Sequence, residues 1–208
     1  MEPKIDLNEQ ESDALKEIAN IGAGNASKAL SQMTDQKIDV TFPQIEFKEV
    51  GEIPGIFQDP EEEYIVIIVQ VEVEKDNGDT EMMGTQLLLM NREGGKHLAQ
   101  YLTGQEDTGE QLTEMEKSAL KETGNILSGS CLTAITKYVN LTLKEGIPVM
   151  EQNQLGNIID EVIMETNHTE DNTALIFGTE FQFEEKLQAY FLFLFQPGQE
   201  KLITDKLV

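Results

Sequence analysis

The chain has 208 residues and a net charge of −24, from 39 acidic against 15 basic side chains. This charge repels nucleic acids and anionic membranes, and no apolar run is long enough to span a bilayer. One cysteine excludes an internal disulfide, and the first residues lack the features of a secretion signal, so we expect a cytoplasmic protein.

Taken in chain order, apolar periodicity predicts a helix over residues 8–33. An extended stretch over 37–50 and a turn-rich segment over 52–63 follow it. Residues 64–74 predict a strand that is apolar on both faces at first and alternates later, which is typical of a central strand. A hairpin turn then leads to a returning strand over 82–90, and Asn91 is placed to cap the helix that follows.

The second half repeats this order after a polar linker over 104–111, beginning with a second long helix. Strands are predicted near 172–183 and 187–195, before a closing helix over 198–207. An amphipathic helix over 154–165 stands where the first half has its turn-rich segment. Each half is therefore a long helix, strands and a closing helix, which is an α+β arrangement rather than a series of β-α-β units.

The two halves also match residue by residue at a constant offset along the chain. Residues 7–43 and 112–148 share twelve identities, where chance would give roughly two. We therefore predict one domain over 1–208, built from two tandem repeats at 7–103 and 112–208. Two such repeats would pair about a pseudo-two-fold axis, with long exposed helices packed on a β-sheet core.

A polar pair occurs once in each repeat, on the long helix. Glu17 and Asn20 are three residues apart and project from one side of the first helix, and Glu122 and Asn125 repeat the pair. At 100° per residue, both pairs lie opposite the apolar face of their helix. A supporting polar residue and a glycine share that side in each repeat. We define the first site as Asp13, Glu17, Asn20 and Gly24, and the second site as Ser118, Glu122, Asn125 and Gly129.

The residue types limit which reactions these sites could catalyse. The sequence contains no glycine-rich phosphate loop, no CxxC pair and no HExxH metal motif. Cys131 falls in the apolar face of its helix, where a buried hydrophobe is a better prediction than a nucleophile. Glutamate and asparagine can still assist phosphoryl hydrolysis, because an amide can orient the attacking water and a carboxylate can pair with a lysine of a partner protein.

The spacing of these residues is also compatible with a purely structural role. A Glu/Asn pair can belong to an ordinary solvated helix face, and a mid-helix glycine can reflect close packing within the fold rather than room for a partner. Matching pairs in both repeats favour a functional site over a solvated face.

The full spacing of the motif resembles that of a known family. The pattern is Asp13-x3-Glu17-x2-Asn20-x22-Pro43, and it recurs as Ser118-x3-Glu122-x2-Asn125-x22-Pro148. It resembles the signature of the CheC/CheX/FliY family of chemotaxis phosphatases, and the resemblance extends over essentially the whole chain. Two sites in a chain that ends with its second repeat look most like the CheC branch.

The resemblance implies a pseudo-symmetric CheC-like fold and hydrolysis of the aspartyl phosphate on a CheY-type response regulator. By position, Glu17 and Glu122 would contact the regulator's lysine, while Asn20 and Asn125 would orient the attacking water. The resemblance also implies that the regulator supplies the Mg²⁺, so that this chain binds no metal or cofactor. Because Ser118 stands where the first repeat has Asp13, we predict two sites of unequal activity.

The resemblance leaves two non-enzymatic functions to compare with the phosphatase. One is an adaptor that binds phosphorylated CheY, or the receptor deamidase CheD that CheC proteins typically bind. The other is a structural protein of the flagellar switch. Intact Glu/Asn pairs favour the phosphatase, and the lack of a C-terminal extension counts against the switch protein. We expect the CheD surface on the helix over 154–165.

Overall fold

The helices and strands follow the predicted order. A computed structural model describes residues 8–40, 44–56, 61–75, 77–105, 109–165, 173–183, 187–196, 199 and 201–204. The first half contains α1 (Glu9–Thr34), β1 (Asp39–Val40), β2 (Gln44–Glu49), a 3₁₀-helix (Val50–Ile56), β3 (Glu63–Glu74), β4 (Thr80–Asn91) and α2 (Arg92–Thr103). The second half contains α3 (Glu114–Val139), β5 (Thr142–Glu145), β6 (Val149–Gln154), α4 (Leu155–Glu165), β7 (Thr173–Phe183), β8 (Leu187–Phe195) and α5 (Lys201–Thr204). The predicted α+β class is confirmed.

The strands of both halves join one sheet. Within the described ranges the sheet has eight strands, with β1 and β2 at one edge on β7, then β8, β4 and β3, and finally β5 and β6 on β3. Every pair is antiparallel. In the central β4–β8 pair, Leu87 lies opposite Leu192, the residue 105 positions later. The strand order therefore reads the same from either edge when the halves are exchanged, while duplication in the sequence stays a prediction.

Helices cover both faces of this sheet, which explains its apolar central strands. β3 is buried without interruption from Tyr64 to Val69 and then alternates, as predicted for a central strand. The face under α1, α2, α3 and α5 buries one cluster, which includes Leu15, Ile18, Ile67, Val69, Leu120, Leu127 and Phe193. The 3₁₀-helix and α4 cover the other face with a second cluster, which includes Ile53, Val66, Leu87, Ile159 and Leu194.

The two long helices lie side by side on the first face. A Cβ built on Gly22 of α1 would lie 3.1 Å from the Cys131 Sγ of α3. Nearby, the Asn25 side chain donates a hydrogen bond of 3.5 Å to the Ser130 carbonyl. Cys131 is buried, and burial raises the pKa of its thiol to about 12. The thiol is therefore neutral and serves in packing, as predicted.

Most local predictions are confirmed, and a few differ. The Asn91 Oδ1 accepts a 2.8 Å hydrogen bond from the Gly94 N–H at the start of α2, as expected of a cap. Part of the turn-rich segment is wound into the 3₁₀-helix. The closing helix is described only over Lys201–Thr204, and Pro43 of the motif lies outside the described residues. Among the described helices, none is long and apolar enough to cross a membrane.

Candidate functional site

The first site lies on the outer face of α1. Glu17, Asn20 and Gly24 are all exposed on this face. Burial of the opposite face orients the helix, since Leu15, Ile18, Ala26 and Leu30 are each at most 1% exposed. The Asp13 carboxylate lies 3.3 Å from Lys16 Nζ, in an exposed pair that adds little to stability. The helix thus presents the predicted polar residues to solvent because its apolar stripe is fixed on the sheet.

The second site lies in the same way on α3. Ser118 and Glu122 are exposed, whereas Asn125 is half-buried. The opposite side of α3 is fixed by a buried row that comprises Leu120, Leu127, Ala134 and Ile135. The helix begins with a capping box, in which Thr113 and Glu116 satisfy each other's backbone N–H groups. Within the described part of the chain, neither Asn20 nor Asn125 has a side-chain hydrogen bond to another residue, so both amides are available to water.

Close packing on the sheet sets the position of α3 beneath the second site. A Cβ built on Gly124, the neighbour of Asn125, would overlap Cγ2 of Ile67 and lie 2.9 Å from its Cβ. The α3 backbone therefore approaches β3 more closely than any residue with a side chain would allow. The corresponding residue of α1 is Ala19, so the two long helices are not seated identically.

Glu145, at the end of β5, lies in the second site although no sequence pattern predicted it. A Cβ built on Gly129 would lie 3.2 and 3.3 Å from the two oxygens of the Glu145 carboxylate. Partial burial raises the pKa of Glu145, the Ser128 hydroxyl lowers it through a hydrogen bond, and the charge of Glu122 raises it further. The only sign of Glu145 in the sequence was that the equivalent residue of the first repeat, 105 positions earlier, is the apolar Val40.

The two glycines consequently differ in their surroundings. Room for a partner, one of the two interpretations of these mid-helix glycines, fits Gly24, which is exposed and whose added Cβ would meet no described residue within 4 Å. Close packing within the fold, the other interpretation, fits Gly129, which is half-buried against the Glu145 carboxylate. A surface pocket of about 440 Å³ continues from this point along α3. It is lined by Gly129, Leu132, Thr133, Thr136, Lys137, Leu143 and Glu145.

Comparison with known proteins shows similarity to the CheC-like family. The family model described as CheC-like matches residues 11–46, which include the whole first site. A relative from Bacillus subtilis strain 168, named CheY-P phosphatase CheC, is 28% identical over 195 residues, covering 90% of this chain and 89% of that protein. The chain is similar to the CheC-like family at its first site and to this relative over most of its length. A second relative from the same organism, flagellar motor switch phosphatase FliY, is 31% identical over 156 residues, which are 72% of this chain but only 39% of FliY.

Solved structures share the CheC-like fold of this chain. FliY of Thermotoga maritima superposes with a TM-score of 0.72 at 20% identity, covering 97% of this chain and 100% of that one. The FliM middle domain of H. pylori reaches 0.68 at 12% identity, covering 96% and 99%. A CheX-CheY-BeF3-Mg²⁺ complex of Borrelia burgdorferi reaches 0.52 at 14% identity, covering 84% and 95%. At these identities the similarity concerns the fold alone, so the site residues must carry the functional conclusion.

The two glycines of this CheC-like chain offer a stability prediction. Gly24→Ala should raise the free energy of unfolding by about 0.5–1 kcal/mol, because alanine favours the helix and its methyl group meets open space. Gly129→Ala should raise the free energy of unfolding by less, because the methyl group would displace the Glu145 carboxylate. Urea denaturation of both variants measures the difference. Equal gains would contradict the placement of Glu145 against Gly129.

Proposed function

We propose that this chain accelerates hydrolysis of the aspartyl phosphate on a CheY-type response regulator. One observation carries the proposal: two intact Glu/Asn pairs are presented on the outer faces of two neighbouring helices, in a chain similar to the CheC-like family. A relative with similar length bears the name CheY-P phosphatase. An exposed helix face suits a protein substrate, because the helix must contact an aspartyl phosphate that belongs to another protein.

In the proposed reaction each asparagine orients water. The Asn20 or Asn125 amide would hold a water in line with the phosphorus–oxygen bond to the regulator's aspartate. The water oxygen attacks phosphorus, the bond to the aspartate breaks, and inorganic phosphate and a free carboxylate remain. Phosphoryl transfer of this kind relies on positioning and charge stabilisation, so the chain needs no nucleophile of its own. The buried, neutral Cys131 takes no part.

The glutamates would bind and align the partner rather than react. Glu17 and Glu122 are exposed on the same helix faces, one turn before the asparagines, where each carboxylate can pair with a lysine of the regulator. The Mg²⁺ that neutralises the phosphoryl charge would be held by the regulator. The described residues of this chain contain no group of three or more His, Cys, Asp or Glu side chains arranged to hold a metal ion.

The test is decay of the aspartyl phosphate on a purified CheY-type regulator, with Mg²⁺ present and catalytic amounts of this chain. We expect several turnovers per chain and a rate above that of the regulator alone. Binding of the regulator without any acceleration would overturn the proposal in favour of an adaptor. Purified CheD belongs in the same measurement, because an adaptor that binds CheD or phosphorylated CheY is the second candidate function.

One feature favours a second protein partner such as CheD. α4 is anchored on the sheet by buried residues such as Ile158 and Ile159, yet Met164 at its end is 80% exposed. An exposed apolar side chain at the edge of an otherwise acidic surface is suited to a protein contact. We therefore keep α4 as the proposed CheD surface. If purified CheD binds this chain equally well before and after Met164→Asp, the assignment of α4 is wrong.

The role of the glutamates gives a prediction that separates binding from chemistry. Glu17→Gln and Glu122→Gln together should raise KM for the phosphorylated regulator by about three- to tenfold, because a charge-assisted hydrogen bond to the partner is lost. The value of kcat should change little, since the asparagines are intact. Steady-state kinetics of phosphate release measure both. A fall in kcat at unchanged KM would assign the glutamates to the chemical step instead.

A further inference from the structure

A group of three polar residues, two of them buried, lies beneath the second site. Gln86 of β4 is 1% exposed, Ser128 of α3 is fully buried, and the Ser128 hydroxyl donates a hydrogen bond to Gln86 Oε1. The Ser128 hydroxyl also lies close enough to the Glu145 carboxylate to lower its pKa. Gln86, Ser128 and Glu145 thus lie in a row from the sheet to the surface, which we call the polar triad.

The hydrogen-bond inventory of the polar triad explains how it holds Glu145. A serine hydroxyl has one proton, so it cannot donate to Gln86 and to Glu145 at once. In the described part of the chain, Gln86 Nε2 is buried without a partner. Rotation of this amide lets Nε2 donate to the hydroxyl, whose proton then goes to Glu145. Only in this rotated arrangement does the Ser128 hydroxyl tie the Glu145 carboxylate to α3.

Glu145 occupies space that is open in the first site. Its carboxylate packs against Gly129, one turn beyond Asn125, whereas no residue in the described part of the chain lies within 4 Å of a Cβ built on Gly24. It also interacts electrostatically with Glu122 of the same site. A partner that approaches α3 as closely as it can approach α1 must therefore displace a carboxylate, and must do so beside a second negative charge.

The polar triad has no counterpart in the sequence at the positions equivalent to its three residues. The residues at the equivalent positions are Phe191, Ala23 and Val40, none of which can form hydrogen bonds through its side chain. Phe191 and Ala23 are both buried. The two sites therefore share their Glu/Asn pairs but differ in the layer beneath them.

We propose that Glu145 is a specificity-determining residue that weakens binding of the phosphorylated regulator at the second site. This inference rests on the proposed function. A phosphorylated partner brings a strongly anionic group, which a second carboxylate beside Glu122 repels, and the same carboxylate fills the approach at Gly129. In the first site, no carboxylate among the described residues packs against Gly24. The inequality of the sites then comes from Glu145 in addition to the change from Asp13 to Ser118.

The experiment isolates each site before changing Glu145. Asn20→Ala leaves the second site as the only complete one, and Asn125→Ala leaves the first. In the second-site background, Glu145→Gln should lower KM for the phosphorylated regulator by about three- to tenfold with little change in kcat, because charge repulsion is removed. Glu145→Val, which copies the first half, should lower KM at least as far.

The first-site background is the matched control, since the same substitution changes the net charge equally but leaves a site that lacks the triad. We expect no change of KM there. An unchanged or raised KM in the second-site background would overturn the proposal. Equal decreases of KM in both backgrounds would also overturn it, because they would show a long-range effect of net charge rather than a local effect at the second site. If neither background accelerates decay at all, the proposed function fails before Glu145 is tested.

A third variant addresses the support of the carboxylate. Ser128→Ala removes the hydroxyl that links Gln86 to Glu145 and places there the alanine of the first half. In the second-site background we expect KM to fall, as with Glu145→Gln, because the carboxylate is released from α3. Glu145→Gln combined with Ser128→Ala should then give little further change. If the effects of the two substitutions on KM multiply instead, Ser128 and Glu145 act independently and the triad is not one unit.

Discussion

Replacing Asn20 and Asn125 together by alanine should lower the rate of aspartyl-phosphate hydrolysis by on the order of 10²-fold, close to the rate of the regulator alone. The reason is positional: without the amide, water reaches the phosphorus atom in random orientations, although every other contact with the partner remains. The loss should therefore fall on kcat, with KM nearly unchanged. Phosphate release under saturating regulator measures it.

The same double variant should fold normally. Neither amide has a side-chain hydrogen bond to another residue within the described ranges, and alanine is the best helix former. We therefore expect a thermal melting temperature equal to or slightly above that of the original chain. Asn157→Ala on α4 is the matched control, because it removes an exposed helical asparagine far along the sequence from both sites. Retention of most of the activity by the double variant would refute water positioning by these two residues.

The single variants extend this test to each site. If the two sites work independently, the rates lost in Asn20→Ala and Asn125→Ala should add up to the loss in the double variant. The Glu145 arrangement predicts that Asn20→Ala removes the larger share at low regulator concentration. Equal losses at all concentrations would mean that the sites are equivalent in spite of their different surroundings.

Much of the fold could be predicted from the sequence because its local signals agree. The apolar stripe of α1, the continuous apolar run of β3 and the capping role of Asn91 each follow from a single rule of periodicity or hydrogen bonding. The outward orientation of Glu17 and Asn20 follows in turn, since a helix with a buried stripe must expose the opposite side.

The features that the sequence did not reveal depend on contacts between distant segments. Glu145 follows Asn125 by twenty residues, and its carboxylate reaches the second site only because β5 pairs with β3 beside α3. Its partner Gln86 belongs to the other repeat. No periodicity within one element reports such a contact. A comparison of the repeats position by position would have shown the contrast of Gln86, Ser128 and Glu145 with their apolar counterparts.

The second large effect concerns stability, at the contact that seats α3 on the sheet. Gly124→Ala should lower the free energy of unfolding by about 1–3 kcal/mol, because the new methyl group would overlap Ile67. The intrinsic helix preference of alanine offsets part of this cost. Gly24→Ala is the matched control, since the same substitution there meets open space. Urea denaturation should therefore give changes of opposite sign for the two variants.

A double-mutant cycle with Ile67 tests whether that overlap is the cause. Ile67→Ala alone should cost about 2–5 kcal/mol, because Ile67 is fully buried and its removal leaves a cavity. With Gly124→Ala the methyl group moves into part of that cavity, so the double variant should be more stable than the sum of the two losses predicts. Additive losses would mean that the α3 backbone does not rest on Ile67. Because Asn125 follows Gly124 directly, the same displacement should reduce turnover at the second site, measured in the Asn20→Ala background, and leave the first site unaffected.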